Sequence, residues 1–559
     1  MVLKKKRMTG VKGSLAAAMA LLCSQLVGGA AVAAEPVDNP ANWAEYHRDY
    51  RGWRYSPLQQ ITTSNVKKLK VAWIHQPGDI TQGLQATPII LDGVVYYIGP
   101  NNRVFAVDGA TGKEIWHYYT ELDPAVSTIL FNGYNRGVTV GNGKVFFGTL
   151  DGRLIALDQK TGKKVWDTKL TDIKKCNGCN FTSPPVLAGD VIIAGPTGGD
   201  LAQRGRLYAL NAATGEKAWN FELIKDDPKS WPGTSGEHGG GGAWLPGQYD
   251  PKHDLFIVGT SNAAPDFDGT ERQGDNLYSA TVLAIEPKTG KLRWYHQEVP
   301  HDVWDYDSAY EFLFINKDKQ DLLVHLNKGG YVSVIDNTSG KVVNTWKFAQ
   351  NTNWVDKVDA KTGELIGRNE PEVGKTKIFC PSVLGARSWN AGAYSPKTKL
   401  WYTNAHEFCE QAAVGKQDPK TAGNGPYFGV ADFGFVPPPG GKVSARLEAV
   451  DPLTGKLAWS VDYALPGLGG VLVTGGDLVF NGDSNGLIHA YNAANGKELW
   501  NFNAGSGIRG GIASYSAGGK QYIIAATGFG SLFPGFASGV FPAFKEAKGA
   551  AALIAFTLE

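Results

Sequence analysis

The sequence predicts an all-β chain folded as an eight-bladed β-propeller with tryptophan-docking repeats. Three observations predict it. An eleven-residue pattern, Ala-x-Asp-x-x-Thr-Gly-Lys-x-x-Trp, recurs along the chain; Gly accounts for 71 of 559 residues; and aromatic residues make up 11%. A turn-rich, ring-rich composition suits many short strands and argues against a helical bundle. The pattern occupies 106–116, 156–166, 209–219, 284–294, 449–459 and 490–500, with a degenerate copy, VIDNTSGKVVN, at 334–344. The starts are 50, 53, 75, 50, 115 and 41 residues apart, the spacing of a repeat architecture. Seven visible copies, plus one expected inside the 115-residue interval around the strand-like segment 400–408, give eight blades. A six- or seven-bladed ring, with the N- and C-terminal strands sharing one blade, is the alternative.

Each repeat has a simple physical reading. The segment from Arg153 to Asp158 alternates in polarity and runs into the turn at Thr161-Gly162, where Gly supplies the positive φ. A second strand follows and ends in Trp166, while an upstream strand, Val145 to Thr149, helps to complete a sheet of about four strands. A sheet of this kind buries one face on its neighbour, so the sheets close in a ring. The recurrent Trp is then expected to pack between adjacent sheets.

Composition removes several classes of function. A charged fraction of 19% and a hydrophobic fraction of 43% exclude a disordered chain, and a net charge of +2 implies no basic surface for nucleic acid. At the N-terminus Lys4, Lys5, Lys6, Arg7 and Lys12 precede the apolar run from Leu15 to Val32, which ends in Ala31-Val32-Ala33-Ala34. This predicts an export signal over residues 1–34, cleaved near Ala34, with a periplasmic mature protein; a single membrane anchor is the alternative. Residues 35–559 then form one propeller domain. Five Cys are too few for a disulfide-built scaffold. Cys176-Asn-Gly-Cys179 is followed by Asn180 rather than His, which argues against covalent c-type haem and against a fused cytochrome domain. A local disulfide is the first reading of that pair, and two free thiols the second.

Further segments join the repeats: Trp43-x-x-Tyr-x-Arg-Asp-Tyr50, Arg54-Tyr-Ser-Pro-Leu58, Gly519-Lys-Gln-Tyr522 and Gly528-Phe-Gly530. With them, nearly all of the chain after residue 34 resembles the quinoprotein alcohol dehydrogenases, which use pyrroloquinoline quinone (PQQ). The resemblance implies oxidation of an alcohol to an aldehyde or ketone. It also implies a hard cation beside the cofactor and electron transfer to a separate soluble cytochrome c; a homodimer is one form it allows.

Residue by residue, the resemblance assigns a metal site, a base and a cofactor pocket. Asp200, in Gly-Gly-Asp-Leu-Ala-Gln-Arg-Gly205, stands where the family has a metal-binding Glu, and Asn262, in Gly259-Thr-Ser-Asn262, at the Asn ligand. Carboxylate and amide oxygens suit a hard ion. Alone, Asp200 reads as a turn residue and Asn262 as a strand-end cap. Asp305, in Pro300-His-Asp-Val-Trp-Asp-Tyr-Asp307, takes the place of the catalytic base and is also near the metal. Asp307 is two residues on, so an extended backbone directs both carboxylates to one side. An Asp at that place accompanies lanthanide use in the family, which favours a lanthanide(III) ion, with Ca²⁺ as the alternative.

For the cofactor, Trp244 matches the flat floor, Arg136 a carboxylate clamp and Lys328 the cation near the quinone oxygens. Gln85, Thr182 and Thr197 match polar positions along the cofactor's edge. Cys380 and Cys409 have a spacing that relatives bridge with a disulfide. The chain departs from the family where Leu130-Phe131 replace two adjacent Cys, and where Leu468, His406 and Asp200 replace Trp, Asn and Glu. Two other readings stay open. One is a non-catalytic propeller scaffold of the outer-membrane assembly kind, and the other a PQQ dehydrogenase for sugars or polymeric alcohols.

Overall fold

The computed structural model describes residues 39–559 except 80–82, 129–132, 177, 423–424 and 531. The export signal expected over 1–34 and the departure at Leu130-Phe131 therefore lie outside the described residues. The fold is all-β and propeller-type. Among the described residues, eight sheets of four or five strands follow one another, and within each sheet consecutive strands pair antiparallel. In the first, Ile89–Leu91, Val94–Gly99, Arg103–Asp108 and Glu114–Tyr119 pair in chain order. The same four-strand meander recurs over 139–169, 186–222, 248–297 and 312–347. No helix among the described residues is long and apolar enough to cross a membrane.

The eleven-residue pattern is the last hairpin of a sheet, and in five of its six full copies the Trp docks on the turn of the following sheet; in the sixth, Trp500 packs edge to face on Phe556 instead. Trp73, Trp116, Trp166, Trp219, Trp294, Trp346 and Trp459 donate their indole N–H to the carbonyls of Gly109, Gln159, Ala212, Pro287, Asn337, Pro452 and Ala493, at 2.8–3.2 Å. Each ring also lies flat against the turn Gly of that sheet. At Gly162, for example, φ is +67° and an added Cβ would stand 2.6 Å from the Trp116 ring. Gly is thus required twice over, for its backbone conformation and for the space it leaves. The degenerate copy at 334–344 keeps the device, because Trp346 lies two residues beyond the expected place and so on the same face of the strand.

The structure corrects the position of the eighth repeat. Among the described residues, the 115-residue interval holds no additional sheet of the repeating kind. It contains the first two strands of the sheet that ends in the copy at 449–459, Ala393–Tyr394 and Trp401–Glu407. It also contains a hairpin, Lys357–Val358 with Leu365–Ile366, and a three-stranded insertion of Thr376–Phe379, Cys409–Val414 and Val430–Val436. The eighth sheet instead joins the chain ends: Ile508–Ala517, Lys520–Thr527 and Ala552–Leu558 are completed by Leu69–His75 from near the N-terminus. Its docking residue is Trp73, far in sequence from the other three strands, so no local pattern marks this copy.

The closure is reinforced by Arg54 of the Arg-Tyr-Ser-Pro-Leu segment. Fully buried, its guanidinium donates to the carbonyls of Val471 at 2.8 Å, Ile512 at 2.9 Å and Tyr46 at 3.0 Å, tying two sheets to the N-terminal arm. Leaving three buried carbonyls unpaired would cost on the order of 1–3 kcal/mol each, so Arg54 is a structural residue. Tyr55–Ser56 then pairs in parallel with Leu472–Thr474. Disulfides join Cys380 to Cys409, within the insertion, and Cys176 to Cys179.

Candidate active site

Antiparallel pairing explains how distant residues meet. The entry to the first strand of a sheet and the exit from its second lie at the same end of that hairpin. Gln85, Arg136, Thr182, Trp244, Asp305 and Asp307 precede first strands, whereas Thr197, Asn262 and Lys328 follow second strands. Loops from five successive sheets thus gather at one end and enclose a cavity of about 270 Å³. Nine of the ten residues selected from the sequence line it: Gln85, Arg136, Thr182, Thr197, Asp200, Trp244, Asp305, Asp307 and Lys328. Asn262 lies directly behind the wall, bonded to Asp307. Leu468 and His406 are buried but are not among the residues lining the cavity.

The acidic end is closely connected. Asp307, only 2% exposed, accepts from the Asn262 backbone N–H at 2.7 Å and from the Trp244 indole N–H at 3.0 Å. The Lys328 ammonium lies 2.9 Å from Asp307 and 2.8 Å from Asp305. Asp305 sits in the left-handed region at φ +60°, an uncommon conformation for a residue with a side chain. The Asp302 carboxylate holds this turn by accepting the backbone N–H groups of Trp304 at 3.0 Å and Tyr306 at 2.9 Å. The Trp304 and Tyr306 rings are fully buried, so Asp305 is presented to the cavity between two anchored neighbours.

Burial raises the Asp305 pKa well above the ordinary carboxylate range, with Asp307 and Asp200 adding to it and Lys328 opposing it. Burial likewise pushes Asp200 up to about 6, against the pull of Lys328. Burial also works against the Lys328 ammonium, but Asp305 and Asp307 outweigh it and keep the ammonium charged. Asp266, which no local motif marks, faces the same cavity; its carboxylate accepts the Asn262 amide N–H at 2.7 Å. Burial and the nearby Asp200 and Asp305 raise its pKa well above normal. The Asn262 Oδ1 is buried without a partner. Four carboxylates against one ammonium, with an orphaned amide oxygen beside them, make an oxygen-rich environment that a hard cation fits. Among the described residues no three acidic, imidazole or thiolate side chains already converge as a metal cage, and the Lys328 ammonium stands between Asp305 and Asp307.

The other polar wall is cationic and flat. The Arg136 guanidinium lies 4.8 Å from the Trp244 ring, 4.8 Å from Trp389 and 4.9 Å from Tyr134, and donates to the Thr182 hydroxyl at 2.6 Å. Arg509 lies 5.0 Å from Trp389 and donates to Ser388 at 2.9 Å and Asn390 at 2.8 Å. Burial, followed by repulsion from Arg136, lowers the Arg509 pKa to about 9. Neither guanidinium has a carboxylate partner among the described residues, and the Nε of each is buried without a hydrogen bond. Two such groups beside indole faces suit a planar ligand with several acidic groups. Gln85 and Thr197 already bond to protein: Gln85 to the Gly530 carbonyl at 2.7 Å, and Thr197 to the Asn180 side chain at 2.6 Å. Tyr134, Asp266, Trp389 and Arg509 were not selected from the sequence. Only the fold brings the segments that carry them to the cavity.

Comparison with known proteins agrees with this geometry. The family model described as glucose/ethanol/alcohol dehydrogenase, beta-propeller domain, of PQQ type, matches residues 43–347. A second, for the outer membrane protein assembly factor BamB, matches residues 443–528, a stretch containing two copies of the eleven-residue pattern. Quinohemoprotein alcohol dehydrogenase ADH IIB of Pseudomonas putida is 36% identical over 520 residues, covering 88% of this chain and 74% of that protein. Quinoprotein alcohol dehydrogenase PedH of Pseudomonas putida is 33% identical over 557 residues and is covered to 92%, as is this chain. The solved structure of a europium-containing methanol dehydrogenase superposes with a TM-score of 0.87 at 29% identity, over 93% of this chain and 99% of that one.

Proposed function

The chain belongs to the PQQ-dependent alcohol dehydrogenase family, and from that premise we propose that it works as an exported, periplasmic quinoprotein that uses a lanthanide(III) ion in preference to Ca²⁺. It oxidises an alcohol to an aldehyde or ketone and passes electrons to a separate soluble cytochrome c. Residues 35–559 form one eight-bladed domain in this reading, and 1–34 are the export signal. The eight successive sheets and the Trp docking between them support the blade count.

One observation carries the reading: the acidic end and the unpaired guanidiniums share a single cavity. When bound, PQQ supplies a two-electron acceptor for the carbinol hydrogen and the metal supplies Lewis acidity. The chain supplies the rest. Arg136 and Arg509 bind the acidic edge of the cofactor, and Trp244 offers its face as a floor. Asp200, Asn262, Asp305 and Asp307 hold the ion. With a bound ion and Lys328 offsetting the burial that raises its pKa, Asp305 would take the hydroxyl proton at its carboxylate, held in position by the Asp302 turn. Lys328 keeps positive charge beside Asp305 and Asp307.

The lanthanide preference rests on charge. Asp200, Asp305 and Asp307 place three carboxylates near one ion, and Asp266, which lines the same cavity, accepts from the Asn262 amide. A trivalent ion offsets that charge more completely than Ca²⁺ does. A non-catalytic scaffold would account for the repeats and the match at 443–528, but would leave two buried guanidiniums with no anion to bind. The reading is tested by reconstituting metal-free protein with PQQ and either La³⁺ or Ca²⁺ and following alcohol-dependent dye reduction. Higher activity with La³⁺ is expected. No alcohol-dependent reduction with either ion would overturn the enzyme reading, and equal or better activity with Ca²⁺ would overturn the metal preference alone.

A further inference from the structure

Resting on the alcohol dehydrogenase reading, we propose that Arg272 is a positioning residue for the reaction: its buried guanidinium fixes the turn that presents Asp305 against the loop that carries Asp266. Arg272 is not among the residues lining the cavity, so it acts through others. It lies in the connection 260–280 between the second and third strands of the fourth sheet, where the second sheet needs only 149–152. Its side chain is fully buried. A guanidinium taken out of water has to find acceptors for its N–H groups, and here they come from three separate points of the chain.

Nη2 donates to the Asp302 carbonyl at 2.6 Å and to the Pro265 carbonyl at 2.7 Å, and Nε donates to the same Pro265 carbonyl at 3.2 Å. Nη1 donates to the Asn276 Oδ1 at 2.7 Å, and the Asn276 amide donates back to the Arg272 carbonyl at 2.7 Å. Asp302 begins the turn in which its carboxylate holds the Trp304 and Tyr306 N–H groups, with Asp305 between them. Pro265 directly precedes Asp266, whose carboxylate accepts the Asn262 amide. The two carbonyls before Asp302 are held as well, because Arg368 donates to Pro300 at 2.7 Å and to His301 at 2.8 Å. Three successive carbonyls thus end on guanidiniums. Of the two, Arg272 also reaches the Asp266 loop, whereas Arg368 pairs with Glu370 at 2.6 Å and lies 4.8 Å from the Trp304 ring. The turn needs this support: His301 and Asp305 both hold positive φ, +48° and +60°, without being Gly. Burial lowers the Arg272 pKa to about 10, with Asp302 and Asp266 opposing it, so the guanidinium stays charged at neutral pH. A planar fork bonded to two loops fixes both their separation and their angle, which a Lys ammonium does not.

Arg272→Lys therefore keeps the charge and loses the fork. In protein loaded with PQQ and metal and mixed anaerobically with alcohol, it should slow quinone reduction about 10- to 100-fold, the scale of losing support behind a site residue or of misplacing a reacting group by roughly 1 Å. The loss should fall on kcat rather than KM. The same substitution made in Asp305→Asn should change the rate by less than about twofold, because the group it positions is already gone. Titration of PQQ-loaded protein with La³⁺ and with Ca²⁺ gives a readout that needs no turnover. Ion affinity should fall about tenfold in Arg272→Lys and stay at the wild-type value in Arg368→Lys, which leaves the Asp266 loop tied. Equal fractional losses from Arg272→Lys with and without the Asp305 carboxylate would overturn the proposal, and so would an unchanged ion affinity. If circular dichroism shows that Arg272→Lys does not fold, Asn276→Gly replaces it: Gly keeps the positive φ of +57° at that position and removes the Nη1 acceptor. It should give a smaller loss that again disappears in Asp305→Asn, and a loss that persists there would overturn the proposal. Wild-type protein whose PQQ is reduced by no alcohol would overturn the dehydrogenase reading and this proposal with it; every other outcome leaves that reading intact.

Discussion

Asp307 and Trp244 show how single side chains serve more than one neighbour. The Asp307 carboxylate receives the Trp244 indole, the Asn262 backbone and the Lys328 ammonium, so removing it disturbs the floor and the cation site together. On the proposed account, Asp307→Ser keeps the fold, weakens PQQ binding through the lost Trp244 bond, and at saturating PQQ loses La³⁺-supported turnover preferentially. Parallel assays with La³⁺ and Ca²⁺ check this, and an equal loss with both ions would remove Asp307 from metal choice. Trp244→Ala deletes the stacking face shared with Arg136 and should weaken PQQ binding by roughly 3 kcal/mol, the scale of large aromatic truncations. Fluorescence titration with PQQ measures it, and unchanged affinity would make Trp244 a packing residue. The residues these predictions use were legible because each lies in a short segment with a recognisable pattern. Asp266, Trp389 and Arg509 lie in segments without one, and their importance comes only from where the loops converge. The left-handed backbone at Asp305 was equally invisible, because neither Asp305 nor its neighbours is a Gly that would signal positive φ.

At the scale of the element, the repeat is a docking unit more than a sequence motif. Its Asp-x-x-Thr-Gly turn is closed by side chain to backbone bonds: Asp158 accepts from the Thr161 backbone at 2.9 Å and from its hydroxyl at 2.7 Å. The following Gly receives the Trp of the preceding sheet at Gly112, Gly162, Gly215, Gly290, Gly340, Gly455 and Gly496. Gly162→Ala combines positive φ with a Cβ 2.6 Å from the Trp116 ring, so about 1–3 kcal/mol of stability should be lost. Chemical denaturation checks this, and an unchanged midpoint would mean that the docking contact yields freely. Seven hairpins were legible because turn and Trp are close in sequence. The missing signal at 334–344 has a geometric cause: Trp346 is displaced by two residues, which preserves its face but breaks the spacing. The inserted strands at 376–379, 409–414 and 430–436 follow no repeat and were not anticipated, although the last of them lines the cavity.

At the scale of the whole molecule, the ends of the chain complete the last sheet. Leu69–His75 pairs with Ala552–Leu558, Trp73 docks on the first sheet, and Trp500 of the seventh lies 5.4 Å from Phe556 of the eighth. The sharing of a sheet by the two ends was foreseen as a feature of a smaller ring, but here it accompanies eight sheets. Closure also gives the site its precision, since residues hundreds of positions apart, such as Gln85 in a loop and Arg509 at the start of a strand, line one cavity only when the sheets meet. The central claim is that this cavity oxidises alcohols with PQQ using Asp305 as the base. Its most direct measurement is anaerobic absorbance spectroscopy of protein loaded with PQQ and metal, mixed rapidly with alcohol. The account predicts that alcohol converts the oxidised-quinone spectrum to the reduced one in the wild-type protein. In Asp305→Asn, which still binds PQQ, the conversion should be slower by about 10²–10⁴-fold, the usual contribution of a general base. Conversion at the same rate in both proteins would contradict the assignment of Asp305, and no conversion in the PQQ-loaded wild type with any alcohol would contradict the central claim itself.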